Sequence, residues 1–580
     1  MGYSLPDCMR PNTSRHVLSD GSAALLHDDH VLFAAIEERL SGKRYAGGFG
    51  SILEHMTTRS PYKSEAMDAI ALSSCCGPKW EVNDDTFEEL KELCWRVHWK
   101  TGKPTADRFL VVDHHESHAV GGFVSSGFDN ALIAVIDGFG NLRAADGWDP
   151  REWWRGFYER HSYYSASWEN GKIKLDRISS DADGFDDMGI GEAYRALTHF
   201  CGWDSYQHAG SVMALAPYGK KELINTADII TFEAGHIVIN LENRHKDAGY
   251  VLEEKLRDAG CHVPVMKHRQ ANPNDLEYCS IIAMIQHQFA EALSTRLLKL
   301  AEDHGFDKIV ITGGAAMNCL AMGEIQKRFH GDIHVPAYPS DTGQGLGNAL
   351  WATYSEASPL ATDRKLSVVK PSPFLGFPYL PEETLDLEIL EDDPTHEVLE
   401  HSKEEQAYYA AEAVANGKIV ATCLGRSEYG PRALGNRSIL ADPRNPSIGH
   451  YVNDFKKREA YRPYAPAIME EFYNQYFQEH VSSPYMSFAV YAQPSVYDII
   501  PGVLHRDYSA RVQTVSKESD SPLRAILEAF YSITGIPVLL NTSYNRKGSP
   551  MVESPQQALK LFLVSNIELL LLDKLTIISI

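Results

Sequence analysis

"DKIVITGGAAMNCLAMGEI", residues 307–325, reads as a buried strand, a Gly-Gly turn and then a helix. Three other stretches share that grammar. "ALIAVIDGFGN" (131–141) is a buried strand ending in Asp137-Gly138, and "RFLVVDHHESHAV" (108–120) is a strand running into a helix. "YPSDTGQGLGNALWATY" (338–354) opens a helix after a turn that carries Asp341 and glycines. Strands that present Asp or Gly at their C-terminal ends, just before a helix, line phosphate-binding clefts in α/β proteins. The expected fold is therefore α/β.

Either Gly turn alone is a weak signal, because tight packing also selects Gly. Two such turns after matching strands fit a nucleotide cleft of the actin and sugar-kinase kind. At 580 residues the chain is too long for one core, so two domains are expected. Hydrophobic residues at 44% and charged residues at 23% are globular values. The formal charge of −23 argues against a surface built for nucleic acid or anionic lipid, since such surfaces neutralise phosphate with Lys and Arg. Small anions need only a local basic pocket.

The N-terminal stretch lacks the apolar core of a signal peptide. The apolar run 559–580 is interrupted by Asn566, Glu568, Asp573 and Lys574, so it reads as a buried helix followed by strand. Nine cysteines without a CxxC pair suit reduced thiols in a cytoplasmic protein. "GSAALLHDDHVLFAAIEERLS" (21–41) reads as two strands joined at His27–His30 and then a charged loop. Ile281, Ile285, Phe289, Leu293 and Leu297 form a helical stripe ending near Gly305. No short internal repeat is visible. Residues 355–400 are Pro-rich and acidic, which places a domain junction there and divides the chain into 1–365 and 366–580.

"HHESHA" (114–119) sets His114 and His118 four apart at the start of a helix, on one face. A zinc-protease HExxH starting at His115 needs histidine at 119, where Ala119 stands. With Asp137 and Asp341 expected at strand ends, two imidazoles and two carboxylates suit Fe(II) or another octahedral divalent ion better than structural zinc.

After the junction, cations crowd an otherwise acidic chain. "GRSEYGPRALGNRSILADPRNP" (425–446), "KKREAYRPYAPAI" (456–468), "ARVQTV" (510–515) and "NTSYNRKGSPMVESP" (541–555) combine guanidinium forks with amides and glycines. Such sets recognise planar carboxylate or phosphate. Arg444 and Arg458 read as solvated surface charges.

Together with "VMALAPYG" (212–219), these ordered blocks resemble the O-carbamoyltransferases of natural-product biosynthesis, and the resemblance covers most of the chain. It implies a TsaD-like ASKHA domain at residues 1–365 and a YrdC-like α+β domain at 366–580. It implies that the second domain converts carbamoyl phosphate and Mg(2+)-ATP into carbamoyl-adenylate. The first then transfers the carbamoyl group to a hydroxyl of a small natural product in antibiotic or toxin biosynthesis, with neither nucleic acid nor membrane as partner. By position, iron would be held by His114, His118, Asp137 and Asp341. The carbamoyl phosphate and ATP pocket would use Arg432, Arg462, Arg511, Asn541, Asn545 and Lys547, with Lys43 or Arg44 as a further phosphate-facing cation. Gly313, Gly314 and Asn318 would contact the adenylate. His114, His118, Asp137, Arg432 and Lys547 would carry the catalytic burden.

Four departures stand out. Ser19 replaces a histidine usual in the family, and Ser211 replaces a lysine before "VMALAPYG". "EERLSGKRY" (37–45) offers two candidate cations, and Gly548-Ser549-Pro550 replaces Gly-Glu-Pro. Two alternatives share the residue pattern. One is a threonylcarbamoyl-type transferase acting on tRNA, disfavoured by the net charge. The other is a metal-dependent hydrolase or sensor, which has no need of so many phosphate-binding arginines.

Overall fold

The computed structural model describes residues 2–5, 21–27, 30–44, 51–52, 55, 69–74, 109–138, 140, 142–143, 157–182, 187–203, 206–224, 227–241, 248–263, 272–360, 370–379, 385–387, 390 and 394–580. Ser19 and the 365/366 boundary lie outside these residues.

Two five-stranded sheets form the N-terminal part. The first contains β1 (Gly2–Leu5), β2 (Ser22–His27), β3 (His30–Ile36), β4 (Ile70–Ser74) and β5 (Phe109–Val111), in the order β3-β2-β1-β4-β5. The second contains β6 (Asn130–Ile136), β7 (His161–Glu169), β8 (Lys172–Asp181), β9 (Lys308–Thr312) and β10 (Asp332–His334), in the order β8-β7-β6-β9-β10. In both, the first three strands pair antiparallel and the last two join in parallel. The chain thus builds one topology twice. Ala131–Ile136 is apolar at every position because β6 is buried on both faces.

Helix α1 (His114–Ser126) follows the fifth strand of the first sheet. The expected stripe after it is α2 (Leu276–His304), capped by Asp275 and ended by left-handed Gly305. Beyond the Gly-Gly turn lies α3 (Cys319–Arg328), and α4 (Gln344–Tyr354) follows the fifth strand of the second sheet. Helices α1 and α4 occupy equivalent places and pack on each other between the sheets. They touch backbone to backbone. A Cβ on Gly347 would stand 2.4 Å from the Ser117 carbonyl oxygen, which no side chain allows.

The C-terminal part is one mixed eight-stranded sheet. Its strands are β11 (His396–Glu400), β12 (Val420–Cys423), β13 (Ser438–Ala441), β14 (Ala465–Met469), β15 (Gln513–Val515), β16 (Val538–Ser543), β17 (Leu569–Leu572) and β18 (Leu575–Ser579). They run in the order β11-β18-β17-β12-β13-β16-β14-β15. Helices α5 (Lys403–Ala415) and α7 (Leu523–Thr534) cover one face, and α6 (Ile448–Lys456) and α8 (Pro555–Leu563) cover the other. This two-sided cover explains the uninterrupted leucines of β17. Leu569 and Leu571 pack on the α5/α7 side, while Leu570 and Leu572 point the other way. The apolar C-terminal run is therefore α8 and a hairpin, and no described helix is long and apolar enough to cross a membrane.

The core beneath α6 and α8 is continuous with that of the second N-terminal sheet. Polar ties add to it. Arg426 donates to the carbonyls of Leu32, Leu375 and Gly376, and Arg39 donates to the carbonyls of Glu428 and Gly430. The molecule is a mixed α/β fold in two parts. Residues 37–41 form a short helix rather than a loop, and Asp341 sits in a 3-10 turn beyond β10 rather than at a strand end.

Candidate metal centre and anion site

Asp113 ends the approach to α1, where its carboxylate accepts the amides of His115 at 3.0 Å and Glu116 at 3.2 Å. That cap starts the helix so that His114 and His118 project together, their rings 4.9 Å apart. His115 faces elsewhere and bonds Ser162 at 2.7 Å. Asp137, one residue past β6, brings its Oδ2 to 3.0 Å from His114 Nε2 and 3.7 Å from His118 Nε2. Its Oδ1 accepts the Gly314 amide at 3.1 Å. Asp341 closes the group, its Oδ1 lying 3.3 Å from His114 Nε2 and 3.2 Å from His118 Nε2.

These four donor atoms lie within 4.8 Å of one another. Bonds of roughly 2.1 Å to one ion place neighbouring ligands about 3 Å apart, so the spacing fits. The charges fit as well. Burial works against ionisation of both imidazoles, but Asp341 and Asp137 raise His114 well above and His118 above the ordinary histidine value. Burial works against the charge on Asp137, yet hydrogen bonds from the two histidines hold its carboxyl well below the usual range. The carboxylates thus call for two compensating positive charges, which one divalent ion supplies. The Asp341 side chain, 29% exposed, leaves that side open to a ligand.

The Gly-Gly turn serves this centre directly. Gly313 has φ +88°, and a Cβ there would lie 2.4 Å from the Ile136 carbonyl oxygen. Asn318 is committed elsewhere, since its amide exchanges two 3.1 Å bonds with Gln286 and its oxygen caps α3 at Ala321.

The second site lies where the two parts meet. Arg432 Nη2 is 3.5 Å from the Met317 carbonyl, and Arg462 Nη1 is 3.5 Å from Ser211 Oγ. Burial, with mutual repulsion among the guanidiniums, holds Arg432 below the ordinary arginine value. Arg511 Nε has no hydrogen-bond partner among the described residues. Lys456, only 4% exposed, is held by Ser543 Oγ at 3.0 Å and Asn545 Oδ1 at 2.8 Å, with no carboxylate paired to it among the described residues. Burial, and then Arg458, Arg462 and Arg44, hold its ammonium well below the ordinary lysine value. Glu459 is the acidic member, 3.7 Å from Arg462 and 2.8 Å from Lys547. One buried and three half-buried cations, with Glu459 as the carboxylate among the described residues of the cluster, describe a site for a multiply charged anion.

Residues 61–350, half of the chain, match the family model described as carbamoyltransferase N-terminus, and residues 411–578 match that of carbamoyltransferase C-terminus. The chain belongs to the carbamoyltransferase family. It is an O-carbamoyltransferase, as its ordered sequence blocks imply. Nodulation protein NolO of Bradyrhizobium diazoefficiens is 30% identical over 79% of this chain and 77% of its own length. Nodulation protein NolNO of Sinorhizobium fredii is 27% identical over 96% of this chain and 78% of its own. Nodulation protein U of Rhizobium tropici is 33% identical over 45% of this chain and 43% of its own. Full-length HypF superposes with a TM-score of 0.33 at 13% identity, over 60% of this chain and 46% of that one, too loosely to bear on the fold.

In this carbamoyltransferase the expected site residues divide sharply. Of the four arginines in residues 425–446, Arg432 alone faces the anion site. Arg437 is buried and donates to the carbonyls of Leu424, Gly425, Asn436 and Glu553, while Arg444 pairs with Asp442 at 2.6 Å. Arg458 is no solvated charge: it lies 3.9 Å from the centre of the Tyr464 ring and donates to the Arg462 and Pro463 carbonyls. Asn541 is buried, and its amide donates to Gln513 at 2.7 Å and to the carbonyl of Ala433, next to Arg432, at 3.2 Å. Lys43 and Arg44 are both exposed, but it is Arg44 whose charge reaches Lys456 and His208. Lys456 carries no distinguishing mark of its own in the sequence, where it sits among surface-like cations in "KKRE". Its apolar neighbours Val452 and Phe455 on α6 were the available signal that this turn is buried.

Proposed function

We propose that this carbamoyltransferase makes carbamoyl-adenylate from carbamoyl phosphate and Mg(2+)-ATP at the anion site and uses it at the metal centre. The observation that carries the proposal is the pairing of a cation set only partly balanced by Glu459 with a two-histidine, two-carboxylate centre, linked through residues 313–319. Carbamate is a poor electrophile, so transfer to a hydroxyl needs a leaving group such as AMP. Lys456, Arg462 and Arg511 bind the phosphoryl oxygens of carbamoyl phosphate and ATP, and Arg432 holds the same charge on the side facing Met317. Water cleaves carbamoyl phosphate to carbamate and phosphate, and a carbamate oxygen then attacks the α-phosphorus of ATP, expelling pyrophosphate and leaving the carbamoyl group on AMP.

His114, His118, Asp137 and Asp341 would hold the metal, iron(II) by the donor set. Such an ion polarises a carbonyl or phosphate oxygen and lowers the pKa of a bound hydroxyl. Gly313 and Gly314 let backbone approach the adenylate while Gly314 orients Asp137. The acceptor hydroxyl attacks the carbamoyl carbon, and AMP leaves. In this reading the N-terminal part is a TsaD-like ASKHA domain of residues 1–365, and the C-terminal part is a YrdC-like domain of residues 366–580. The acceptor is a small hydroxylated natural product, and the enzyme is cytoplasmic. Pyrophosphate release from ATP tests the scheme. It is expected only when carbamoyl phosphate is present, and release without it would overturn the order of events.

A further inference from the structure

The three guanidiniums of the anion site come from three separate segments, so something must fix their mutual reach. Arg511 ends the strand Ser509–Arg511, which pairs antiparallel with Ala489–Tyr491 to form a two-stranded ribbon. In that ribbon Ala489 is the direct partner of Arg511. The other side of Ala489 meets the N-terminal part of the molecule at Gly323, in the middle of α3. A Cβ built on Gly323 would stand 2.0 Å from the Ala489 carbonyl oxygen, so helix and ribbon meet with no side chain between them.

Helix α3 also carries the rest of this corner. Its first residue is Cys319, and the Met317 carbonyl that Arg432 approaches at 3.5 Å lies in the turn just before it. One rigid element therefore sets both Arg432, through that turn, and Arg511, through the ribbon. Gly323 has an ordinary helical backbone, so left-handed φ does not require glycine there. The close approach does.

We infer that Gly323 is a positioning residue for the anion site: its bare Cα seats the Ala489–Arg511 ribbon and thereby fixes how far Arg511 reaches toward Arg432 and Arg462. The inference rests on the reading that these arginines bind carbamoyl phosphate and ATP. A carbon and a carbonyl oxygen in contact stand roughly 3.3 Å apart, so any side chain at 323 must lift the ribbon by about 1 Å. A displacement of that size in a phosphoryl-binding group costs up to roughly a hundredfold in kcat/KM.

The test is a double-mutant cycle on the full chain, with Gly323→Ala, Arg511→Ala and both together. Its readouts are KM for carbamoyl phosphate in pyrophosphate release, the metal content, and the shift in melting temperature caused by inorganic phosphate. Gly323→Ala is expected to raise KM about tenfold or more, to keep its metal, and to lose most of the phosphate-induced shift. The double variant should be no worse than Arg511→Ala alone, because Gly323 acts through Arg511. Additive losses, an unchanged KM in Gly323→Ala, or a full phosphate shift in its folded fraction would each overturn the inference. If Arg511→Ala itself leaves KM unchanged, the reading of the anion site fails instead, and the two failures are told apart by that single variant.

Discussion

Lys456 shows how much one side chain reveals once its surroundings are known. An ammonium this deeply buried, held only by neutral oxygens, is costly unless a ligand brings negative charge. Its proton affinity is depressed in the free protein and restored by a bound anion. Affinity for carbamoyl phosphate is therefore full below the depressed value and falls as pH rises from there toward 10.5, the ordinary lysine value. KM measured against pH should rise on the alkaline side, and Lys456→Gln should flatten that slope while raising KM roughly tenfold or more. A slope that persists in Lys456→Gln would assign the titration to another group. The neighbouring cations of "NRKGS" point apart, although the segment is not extended as its sequence suggests: the strand ends at Ser543, and the Ser549 amide closes a turn on the Arg546 carbonyl at 3.1 Å. Lys547 pairs with Glu459 at the rim of the site, whereas Arg546 donates to the Val564 carbonyl and lies 5.4 Å from the Phe455 ring centre. Lys547→Ala should weaken carbamoyl phosphate use about tenfold. Arg546→Ala should leave turnover within about threefold and lower stability by about 1 kcal/mol, read by denaturant melting. The reverse ranking in steady-state kinetics would put the loop one residue out of register. The candidate metal-binding group is legible in the sequence because spacing on a helix and an Asp beyond a strand are local patterns. The arginines were only partly so. Arg437 and Arg432 lie in one motif, and nothing local distinguishes a guanidinium that satisfies carbonyls from one that awaits a ligand.

Elements bring the ligands together, and the crossing of α1 and α4 is the decisive contact. His114 and His118 ride on α1, and Asp341 lies in the turn that opens α4. Their separation depends on Gly347 packing against Ser117 with no side chain between them. Gly347→Ala should push the helices apart, costing about 1–3 kcal/mol in stability and weakening metal retention during dialysis against a chelator. Retention equal to wild type would show that the crossing does not set the site. His114→Ala and His118→Ala should each lose about one divalent ion per chain in elemental analysis, and transfer with it. Full metal occupancy in the double variant would sink the assignment. The strands and helices at residues 108–141 and 307–354 were readable because each carries its own period and punctuation. What escaped the sequence was the duplication. Strand order recurs in the two sheets without recurring residues, because topology is set by which surfaces must be buried, and many apolar sequences satisfy that. Asp341 was misplaced for a related reason. The chain from β10 to α4 carries Pro336 and Pro339, which bar a regular strand while leaving the Asp at a helix entrance.

At the scale of the whole molecule, the two sites belong to different parts of the chain but are built against each other. Arg432 and Arg462 lean on Met317 and Ser211, and the Gly-Gly turn that orients Asp137 continues into the residues beside Arg432. The net charge of −23 gives this arrangement its meaning. In an acidic protein a cluster of largely half-buried cations holds together best when an anion occupies it, which supports the proposal that charged substrates bind at this junction. The scheme requires activation and transfer to be separable by mutation. Arg511→Ala and His118→Ala should therefore be compared in two assays, pyrophosphate release from ATP with carbamoyl phosphate, and carbamoylation of an acceptor from preformed carbamoyl-adenylate. Arg511→Ala is predicted to lose most of the first at low carbamoyl phosphate, through its raised KM, and to keep the second, and His118→Ala to keep the first and lose the second; loss of both activities in both variants would contradict the two-site scheme.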